Sequence, residues 1–216
     1  MMIILSFLLV AVMSYLLGSI PTAFIFGKVM KGIDIREHGS GNMGATNAFR
    51  VLGKGPGTAV LLLDMLKGLI PVVFLAGWLT PGVEGRILAA IAVVCGHNWT
   101  CFLGFKGGKG VATSAGVLIG LTVALPSVRW PVGLCLLSWV VCFLATAYIS
   151  VASIAAAILL PVFMIVFTAP FPVILLSILF CILVVVRHRP NIHRLLIGQE
   201  NRVPLPFHKK PESPRI

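Results

Sequence analysis

Long apolar segments, separated by short polar loops, make up most of this sequence. Hydrophobic residues account for 58% of the 216 residues and charged residues for only 11%, with a mean hydropathy of +1.05. Because soluble domains carry about 25% charged residues, this pattern predicts an all-α, polytopic integral membrane protein. The apolar segments predict about seven transmembrane helices, with approximate bounds 2–26, 56–79, 86–104, 111–127, 132–147, 154–167 and 173–186.

Several of these segments are shorter than the roughly 20 residues that a transmembrane helix needs. Five full spans with re-entrant pieces are therefore the alternative to seven. Gly18 and Pro21 interrupt the first segment, and no basic residue precedes Lys28. A cleaved signal peptide requires a basic n-region, so we expect an uncleaved first span.

Positive charge is distributed unevenly along the chain, which has a net charge of +11. Five Lys and Arg residues follow the first segment, two follow the third and seven follow the last. The positive-inside rule then places 14 of the 17 cations in the cytoplasm and the N-terminus outside. Anionic headgroups explain this charge better than nucleic acid does. We expect one transmembrane domain over residues 1–202 and a basic, flexible cytoplasmic tail over 203–216.

A glycine-rich polar loop, Gly-Ser-Gly-Asn-Met-Gly-Ala-Thr-Asn-Ala-Phe-Arg, lies between the first two segments at residues 39–50. Glycines allow the backbone to approach a ligand closely, and arginine matches a phosphate or a carboxylate. The simpler interpretation is a loop that only joins two helices. The predicted site residues of this loop are Gly39, Ser40, Gly41, Asn42, Asn47 and Arg50.

A second loop, Phe-Lys-Gly-Gly-Lys-Gly-Val-Ala-Thr at residues 105–113, has the same chemistry with two lysines. It does not match the P-loop pattern, because three rather than four residues separate Gly104 from Gly108, and Gly110 stands where Ser or Thr is needed. A helix that begins near Gly110 would still offer free N–H groups to a phosphate. The predicted phosphate-binding residues are Lys106, Gly107, Gly108, Lys109, Gly110 and Thr113.

Three further groups of polar residues lie within or beside the apolar segments. Asp64 and Lys67, one helical turn apart, predict either an internal ion pair or a direct role in the site. His97 lies near the cytoplasmic end of the third segment and is interpreted first as a structural hydrogen-bonding residue. His188 precedes Asn191 at the start of the basic C-terminal region, where it either anchors the last span or takes part in the site.

The sequence lacks several motifs that are typical of catalytic and metal sites, and their absence limits the reactions to be considered. No histidine is followed five residues later by aspartate, which excludes the usual glycerolipid acyltransferase dyad. Only six Asp and Glu residues occur, and none are clustered, so no metal site is expected. No Gly-x-Ser-x-Gly nucleophile motif occurs. The five cysteines lie in or beside apolar segments and are interpreted as small core residues rather than disulfides or zinc ligands.

All polar clusters fall on the same side of the predicted topology. A site at the cytoplasmic face, with basic loops around it, suits a water-soluble anion that meets a lipid-borne partner. Transporters, by contrast, usually place their site near the membrane midplane. A small transporter of an organic phosphate is the alternative function.

The two loops and the segment His-Arg-Pro-Asn-Ile-His-Arg-Leu at residues 188–195 resemble the bacterial acyl-phosphate:glycerol-3-phosphate acyltransferase family (PlsY). The likeness covers nearly the whole chain. It implies an inner-membrane enzyme that makes 1-acyl-glycerol 3-phosphate from acyl phosphate and glycerol 3-phosphate, with no cofactor and no obligate protein partner. It also implies a need for Ser40 and Arg50, and a phosphate site at residues 107–110. The remaining implied residues are Ser150, His188, Asn191 and Glu200.

An acyl phosphate is a mixed anhydride that is already activated, with phosphate as its leaving group. We therefore expect direct transfer, driven by positioning and charge stabilisation, rather than an acyl-enzyme. Arg50 and Lys109 are expected to hold the two phosphates, while polar side chains of the first loop orient oxygen atoms. The proton goes to His188 or to the donor's phosphate. The resemblance favours the phosphate, with His188 as an orienting group.

Overall fold

The structure is a computed structural model that describes residues 1–205. Within that range the chain is helical, without β-strands. Residues 206–216, most of the predicted tail, lie outside the described residues, and the division into a domain and a tail stays a prediction. The helices are α1 (Met2–Ser19), α2 (Thr22–Lys31), α3 (Ala45–Leu52), α4 (Lys54–Ile70), α5 (Ala76–Leu79), α6 (Val83–Asn98), α7 (Val111–Ala124), α8 (Arg129–Thr146), α9 (Ile149–Val166), α10 (Phe171–Arg187) and α11 (Arg189–Leu196).

Five helical stretches of the described chain are long and apolar enough to cross a membrane. A sixth results if α10 and α11, which meet at a bend of 55°, count as one span, whereas α7 has only 14 residues. All seven predicted apolar segments are helical, but a count of seven spans is not confirmed. The five spans are Met2–Lys31, Lys54–Leu79, Val83–Leu103, Pro126–Thr146 and Ile149–Val166.

Several predicted boundaries are wrong. The expected interruption at Gly18 does not occur, because Gly18 lies within α1 and the helix breaks only beside Pro21. The predicted gap between the fourth and fifth segments, residues 128–131, lies earlier in the structure, at Pro126–Val128, and the next residue begins α8. Pro131 falls in the first turn of that helix, where its missing N–H leaves no hydrogen bond unmade. α9 begins five residues before its predicted start.

Glycines at two helix crossings allow the helices to pack in direct backbone contact. A Cβ added at Gly18 in α1 would overlap the Val93 carbonyl oxygen in α6, and one at Gly116 in α7 would overlap the Met65 carbonyl oxygen in α4. Small residues of this kind are typical of close membrane-helix crossings. Gly116 and Gly120, four residues apart in α7, therefore mark a close crossing with α4. The second glycine-rich loop leads into α7, so this crossing of α7 with α4 holds the loop beside α4.

A small hydrophobic core beneath the first glycine-rich loop determines how α3 lies. Ala48 and Leu52 on one side of α3 belong to the same buried cluster as Ile35 of the preceding loop and Val60 of α4. The opposite side leaves Arg50 exposed. Apolar packing thus directs this arginine away from the small core. A second, larger core joins α1, α6, α7, α9 and α10.

We expect Gly116→Ala to destabilise the protein, because the added methyl group would overlap the Met65 carbonyl oxygen. Overpacking of this kind costs about 1–3 kcal/mol, so the thermal midpoint in detergent should fall measurably. Gly133→Ala in α8 is the matched control, since no atom lies within 4 Å of its added Cβ and alanine favours helix. Equal thermal midpoints for the two variants would contradict the close crossing of α4 and α7.

Candidate active site

Polar residues from four separate parts of the sequence line one cavity of about 410 Å³. Ser40 comes from the first glycine-rich loop, Lys109 from the second, Ser150 from the start of α9 and His188 from the junction of α10 and α11. Residues far apart in the sequence therefore build one site, and their predicted convergence is confirmed. The side of the membrane that they face stays a prediction.

The cavity has a polar end and an apolar arm. The polar end lies among the glycine-rich loops and the junction of α10 and α11, whereas Trp139 of α8, Leu160 of α9 and Phe180 of α10 line the arm. Ser150 and Leu160 both line the cavity and are ten residues apart on α9, a rise of about 15 Å. A molecule with a charged head and a hydrocarbon chain matches this shape.

Asn47 organises the first glycine-rich loop from a buried position. Its Oδ1 accepts a hydrogen bond from the Ser40 N–H (2.8 Å), and its Nδ2 donates to the carbonyls of Ile35 (3.2 Å) and His38 (3.0 Å). Gly39 does not line the cavity, and a Cβ there would overlap Asn47 Oδ1. Asn47 lines the cavity, yet its side chain is engaged in shaping the loop, so a substrate contact stays a prediction.

Ser40 and Arg50 are exposed residues that line the polar end of the cavity. Neither side chain has a hydrogen-bond partner within residues 1–205. Asn42 also lines the cavity, but its Oδ1 accepts from the Gly44 N–H (2.9 Å) and closes a turn. Gly41 lies outside the lining, and its φ of +68° provides the left-handed bend between Ser40 and Asn42. The serine hydroxyl and the guanidinium are therefore available to a ligand.

The second glycine-rich loop packs two of its glycines against the end of α6. A Cβ added at Gly107 would overlap the His97 carbonyl oxygen, and one at Gly108 would overlap His97 Nε2. Of the residues predicted in this loop, Lys109 and Gly110 line the cavity. Four other predicted residues of this loop do not line the cavity: Lys106, Gly107, Gly108 and Thr113. Lys106 is exposed and Thr113 is fully buried. Direct phosphate contacts of these four residues stay predictions.

Lys109 extends into the polar end of the cavity and donates a hydrogen bond to Asn191 Oδ1. Burial lowers the pKa of Lys109 to about 8; Glu200 opposes the decrease, and neighbouring cations, Arg194 first, add to it. Gly110, with a φ of +78°, precedes α7, so the free N–H groups of the first turn of α7 begin beside this lysine. An anion bound here would favour the charged ammonium.

Glu200 connects Ser150 at the start of α9 with two residues of α11. Its Oε1 accepts hydrogen bonds from the Ser150 hydroxyl (2.8 Å) and Asn191 Nδ2 (2.6 Å), and its Oε2 accepts from Arg194 Nε (2.8 Å). Burial acts to raise the pKa of Glu200, but these three hydrogen bonds together outweigh burial and lower it. The carboxylate therefore stays ionised and orients Asn191, which in turn contacts Lys109.

His188 is buried at the junction of α10 and α11. Its Nδ1 lies 2.8 Å from the carbonyl oxygen of Val184, one helical turn earlier. A carbonyl oxygen can only accept, so the neutral ring carries its proton on Nδ1 and leaves Nε2 as an acceptor. Because the residue lines the cavity, the ring can accept a hydrogen bond from a hydroxyl group of a ligand.

The polar residues within α4 form the predicted internal ion pair. Lys67 Nζ lies 2.9 Å from Asp64 Oδ1, and that oxygen also accepts from the Thr22 hydroxyl (2.5 Å). Lys67 Nζ also donates to the Ile20 carbonyl (2.9 Å), and His97 Nδ1 lies 3.7 Å from Asp64 Oδ1. The cluster braces the break between α1 and α2 against α4, and Asp64 and His97 also line the cavity. A direct role for these residues stays a prediction.

Sequence reasoning missed two arginines that shape the site. Arg187 donates to the backbone carbonyls of residues 107–108, and Arg194 forms an ion pair with Glu200 (2.8 Å). Both were counted only as cations at the membrane surface. Arg187 could have been found, because it directly precedes a predicted site histidine. Arg194 lies three residues after Asn191, a spacing that puts both on one helix face.

Within residues 1–205, no group of three or more His, Cys, Asp or Glu side chains could hold a metal ion. Independence from metals stays a prediction about the reaction. The five cysteines are free thiols. Only Cys135 is buried, and it lines the apolar arm, whereas the other four are half-buried. Their interpretation as core residues therefore holds for Cys135 alone.

Proteins of similar sequence cover nearly the whole chain. A family model described as glycerol-3-phosphate acyltransferase matches residues 8–198. A glycerol-3-phosphate acyltransferase of Gloeobacter violaceus is 45% identical over 194 residues, 88% of this chain and 91% of that protein. Glycerol-3-phosphate acyltransferase 2 of Moorella thermoacetica is 45% identical over 196 residues, 91% of this chain and 97% of that protein.

Solved structures extend the similarity to three dimensions. The glycerol 3-phosphate form of PlsY (YgiH), an integral membrane glycerol 3-phosphate acyltransferase, is 41% identical and has a TM-score of 0.83 over 92% of this chain and 96% of its own. The lysophosphatidic acid form is 41% identical, with a TM-score of 0.80 over 91% and 95%. The resemblance found in the loops is confirmed. By sequence and by structure, this chain belongs to the glycerol-3-phosphate acyltransferase family of integral membrane proteins.

Proposed function

We propose that this protein transfers an acyl group from an acyl phosphate to the 1-hydroxyl of sn-glycerol 3-phosphate. The products are 1-acyl-glycerol 3-phosphate and phosphate, and the reaction is the first acylation of phospholipid synthesis at the bacterial cytoplasmic membrane. The observation that carries the proposal is one cavity that joins a basic, hydrogen-bonding end to an apolar arm. The glycerol 3-phosphate and lysophosphatidic acid forms of the solved relative support the acceptor and the product.

The charges at the polar end suit two phosphate groups. Arg50, Lys109 and Arg194 line it, and Glu200 offsets one of these charges. A phosphate dianion without cationic partners would be prohibitively unfavourable in a partly buried site. We therefore place the phosphate of glycerol 3-phosphate at Lys109 and that of the acyl phosphate at Arg50. The acyl chain then lies in the arm between α8 and α9.

The transfer needs little covalent help from the protein, because an acyl phosphate is an activated mixed anhydride. The 1-hydroxyl oxygen of the acceptor attacks the acyl carbon, and a new ester C–O bond forms. The bond between the acyl carbon and the phosphate oxygen breaks, its electron pair stays on that oxygen, and the hydroxyl proton passes to the departing phosphate. The protein contributes orientation and charge stabilisation.

Two side chains at the polar end have free groups that can orient the substrates. His188 Nε2 can accept from the acceptor's hydroxyl, because Nδ1 is engaged with the Val184 carbonyl. The Ser40 hydroxyl, which has no partner within residues 1–205, can donate to an oxygen of the donor phosphate. Ser150 donates to Glu200 instead, so its hydroxyl is already engaged.

A small transporter of an organic phosphate is the competing function. Transporters bind their substrate near the membrane midplane, between broken helices. Here the free polar groups lie at helix ends, and the ion pair within α4 is engaged by its own neighbours Thr22 and Ile20. These contacts, and membership of an acyltransferase family, favour the acyltransferase over the transporter.

Purified protein in lipid vesicles should convert acyl phosphate and radiolabelled glycerol 3-phosphate into 1-acyl-glycerol 3-phosphate, with release of one phosphate for each product molecule. We expect full activity in EDTA and none with acyl-CoA, since no group of side chains in residues 1–205 suits a metal and the proposed donor is an acyl phosphate. Loss of turnover in EDTA, or robust turnover with acyl-CoA, would contradict the proposal. Phosphate uptake into vesicles without acylation would favour the transporter.

We expect Lys109→Ala to raise KM for glycerol 3-phosphate about tenfold, the value of one hydrogen bond to a charged group, with a smaller change in kcat. Because the pKa of Lys109 is lowered to about 8, its charged form is lost as the pH rises through that value. The wild-type KM should therefore rise from about pH 7 to 9, and Lys109→Arg should abolish this rise because a guanidinium stays protonated. Steady-state kinetics test both effects, with the exposed Lys54→Ala as control. A reduced kcat with unchanged KM would argue against phosphate binding.

The charge pattern predicts that the site opens to the cytoplasm, and single cysteines can test this after the five native cysteines are replaced. Glu37→Cys and Lys106→Cys, at exposed positions of the two loop regions, should react with a membrane-impermeant thiol reagent only from the cytoplasmic side. Glu84→Cys, in the first turn of α6, should react only from outside. Gly107→Cys is unsuitable because its Cβ would overlap the His97 carbonyl oxygen. Labelling of Glu37→Cys by the impermeant reagent in intact cells would contradict the predicted topology and would place the site on the outer side.

A further inference from the structure

Arg187, the last residue of α10, holds the carbonyl groups of the second glycine-rich loop. Its Nη2 donates to the carbonyls of Gly108 (2.6 Å) and Gly107 (3.0 Å), and its Nε donates to Gly108 (3.1 Å). The guanidinium carbon also lies 5.8 Å from the centre of the Trp99 ring. Three hydrogen bonds and an aromatic ring thus fix this guanidinium against the loop.

The end of α6 holds the same loop from a second direction. The Gly108 N–H donates to the His97 carbonyl (3.0 Å), and neither Gly107 nor Gly108 has space for a Cβ beside α6. The loop is therefore clamped between α6 and α10. Arg187 does not line the cavity, so its effect on a ligand there must pass through the loop.

The planar peptide bond transmits this contact to the cavity. All peptide bonds of the described chain are trans, so the Lys109 N–H points away from Arg187, opposite to the Gly108 carbonyl. That N–H has no hydrogen-bond partner within residues 1–205, and Lys109 lines the cavity. Lys109 therefore offers a backbone donor and an ammonium, and the direction of the backbone donor depends on the contact with Arg187.

We propose that Arg187 is a positioning residue for the phosphate of the acceptor. It orients the backbone of residues 107–109 so that the N–H and the ammonium of Lys109 converge on the phosphate of glycerol 3-phosphate, and it does not bind the substrate itself. The inference rests on the proposed function. It concerns the acceptor alone, because the acyl phosphate is placed at Arg50 on the other loop.

Steady-state kinetics of variants in lipid vesicles test this role. Arg187→Gln should raise KM for glycerol 3-phosphate about tenfold, while kcat and KM for acyl phosphate stay within about threefold of wild type. Arg187→Lys keeps the charge but lacks the fork that reaches both carbonyls, so it should raise the same KM by a smaller factor. Arg189→Gln removes an exposed cation nearby and is the matched control, with an unchanged KM.

A double variant separates positioning from general stabilisation. If Arg187 acts through residue 109, combining Arg187→Gln with Lys109→Ala should raise KM by clearly less than the product of the two single effects, because the double variant has only the backbone N–H left to misplace. Effects that multiply in the double variant, or a wild-type KM in Arg187→Gln, would overturn the inference. If the glutamine variant cannot be purified, the KM of Arg187→Lys, alone and combined with Lys109→Ala, decides by the same criteria.

The wild-type protein distinguishes a failure of this inference from a failure of the proposed function. Wild-type protein that is inactive with both substrates would reject the proposed function, and the positioning role with it. Normal wild-type turnover, together with an unchanged KM in both Arg187 variants, would reject the positioning role alone.

Discussion

Backbone groups find no water inside a bilayer, and this constraint determines where the chain can leave the helical form. The two longest interruptions between helices, residues 32–44 and 99–110, both border the candidate site. Side chains satisfy several of the backbone groups that these interruptions free. Asn47 bonds three backbone groups of residues 32–44, and Arg187 bonds two carbonyls of residues 99–110. The polar residues around the site are therefore also the residues that hold its loops in shape.

The cations available to a ligand can be identified by removing those that already have partners. Arg36 is held by Asp34 (2.6 Å), and the same interaction lowers the pKa of Asp34 to about 2. Arg194 is paired with Glu200. Within residues 1–205, Arg50 and Lys109 line the cavity without a carboxylate within 4 Å. Two cavity-lining cations without a carboxylate partner suit the proposed reaction, in which both substrates carry a phosphate.

Hydropathy and charge predicted the helical segments and the convergence of the polar clusters, because apolar length and the sidedness of charge follow directly from the bilayer. They could not predict the number of spans, since α7 is too short to decide by length. They also could not distinguish the loop residues that line the cavity from those that pack against neighbouring helices or face away. Lys106 and Gly107 share one loop with Lys109, yet only Lys109 lines the cavity. That difference depends on α6 and α10, which the local sequence does not contain.

The break between α1 and α2 explains why a charged pair lies inside an apolar helix. It leaves two backbone carbonyls without helical partners, and the Thr100 hydroxyl donates to that of Ser19 (2.6 Å) while the Lys67 ammonium donates to that of Ile20 (2.9 Å). A buried ammonium without a counter-charge would be strongly destabilising, and Asp64 supplies that charge at 2.9 Å. Thr100 belongs to the segment that leads into the second glycine-rich loop. The ion pair and the segment before the second glycine-rich loop therefore meet at the adjacent carbonyls of Ser19 and Ile20, which favours a structural role for the pair.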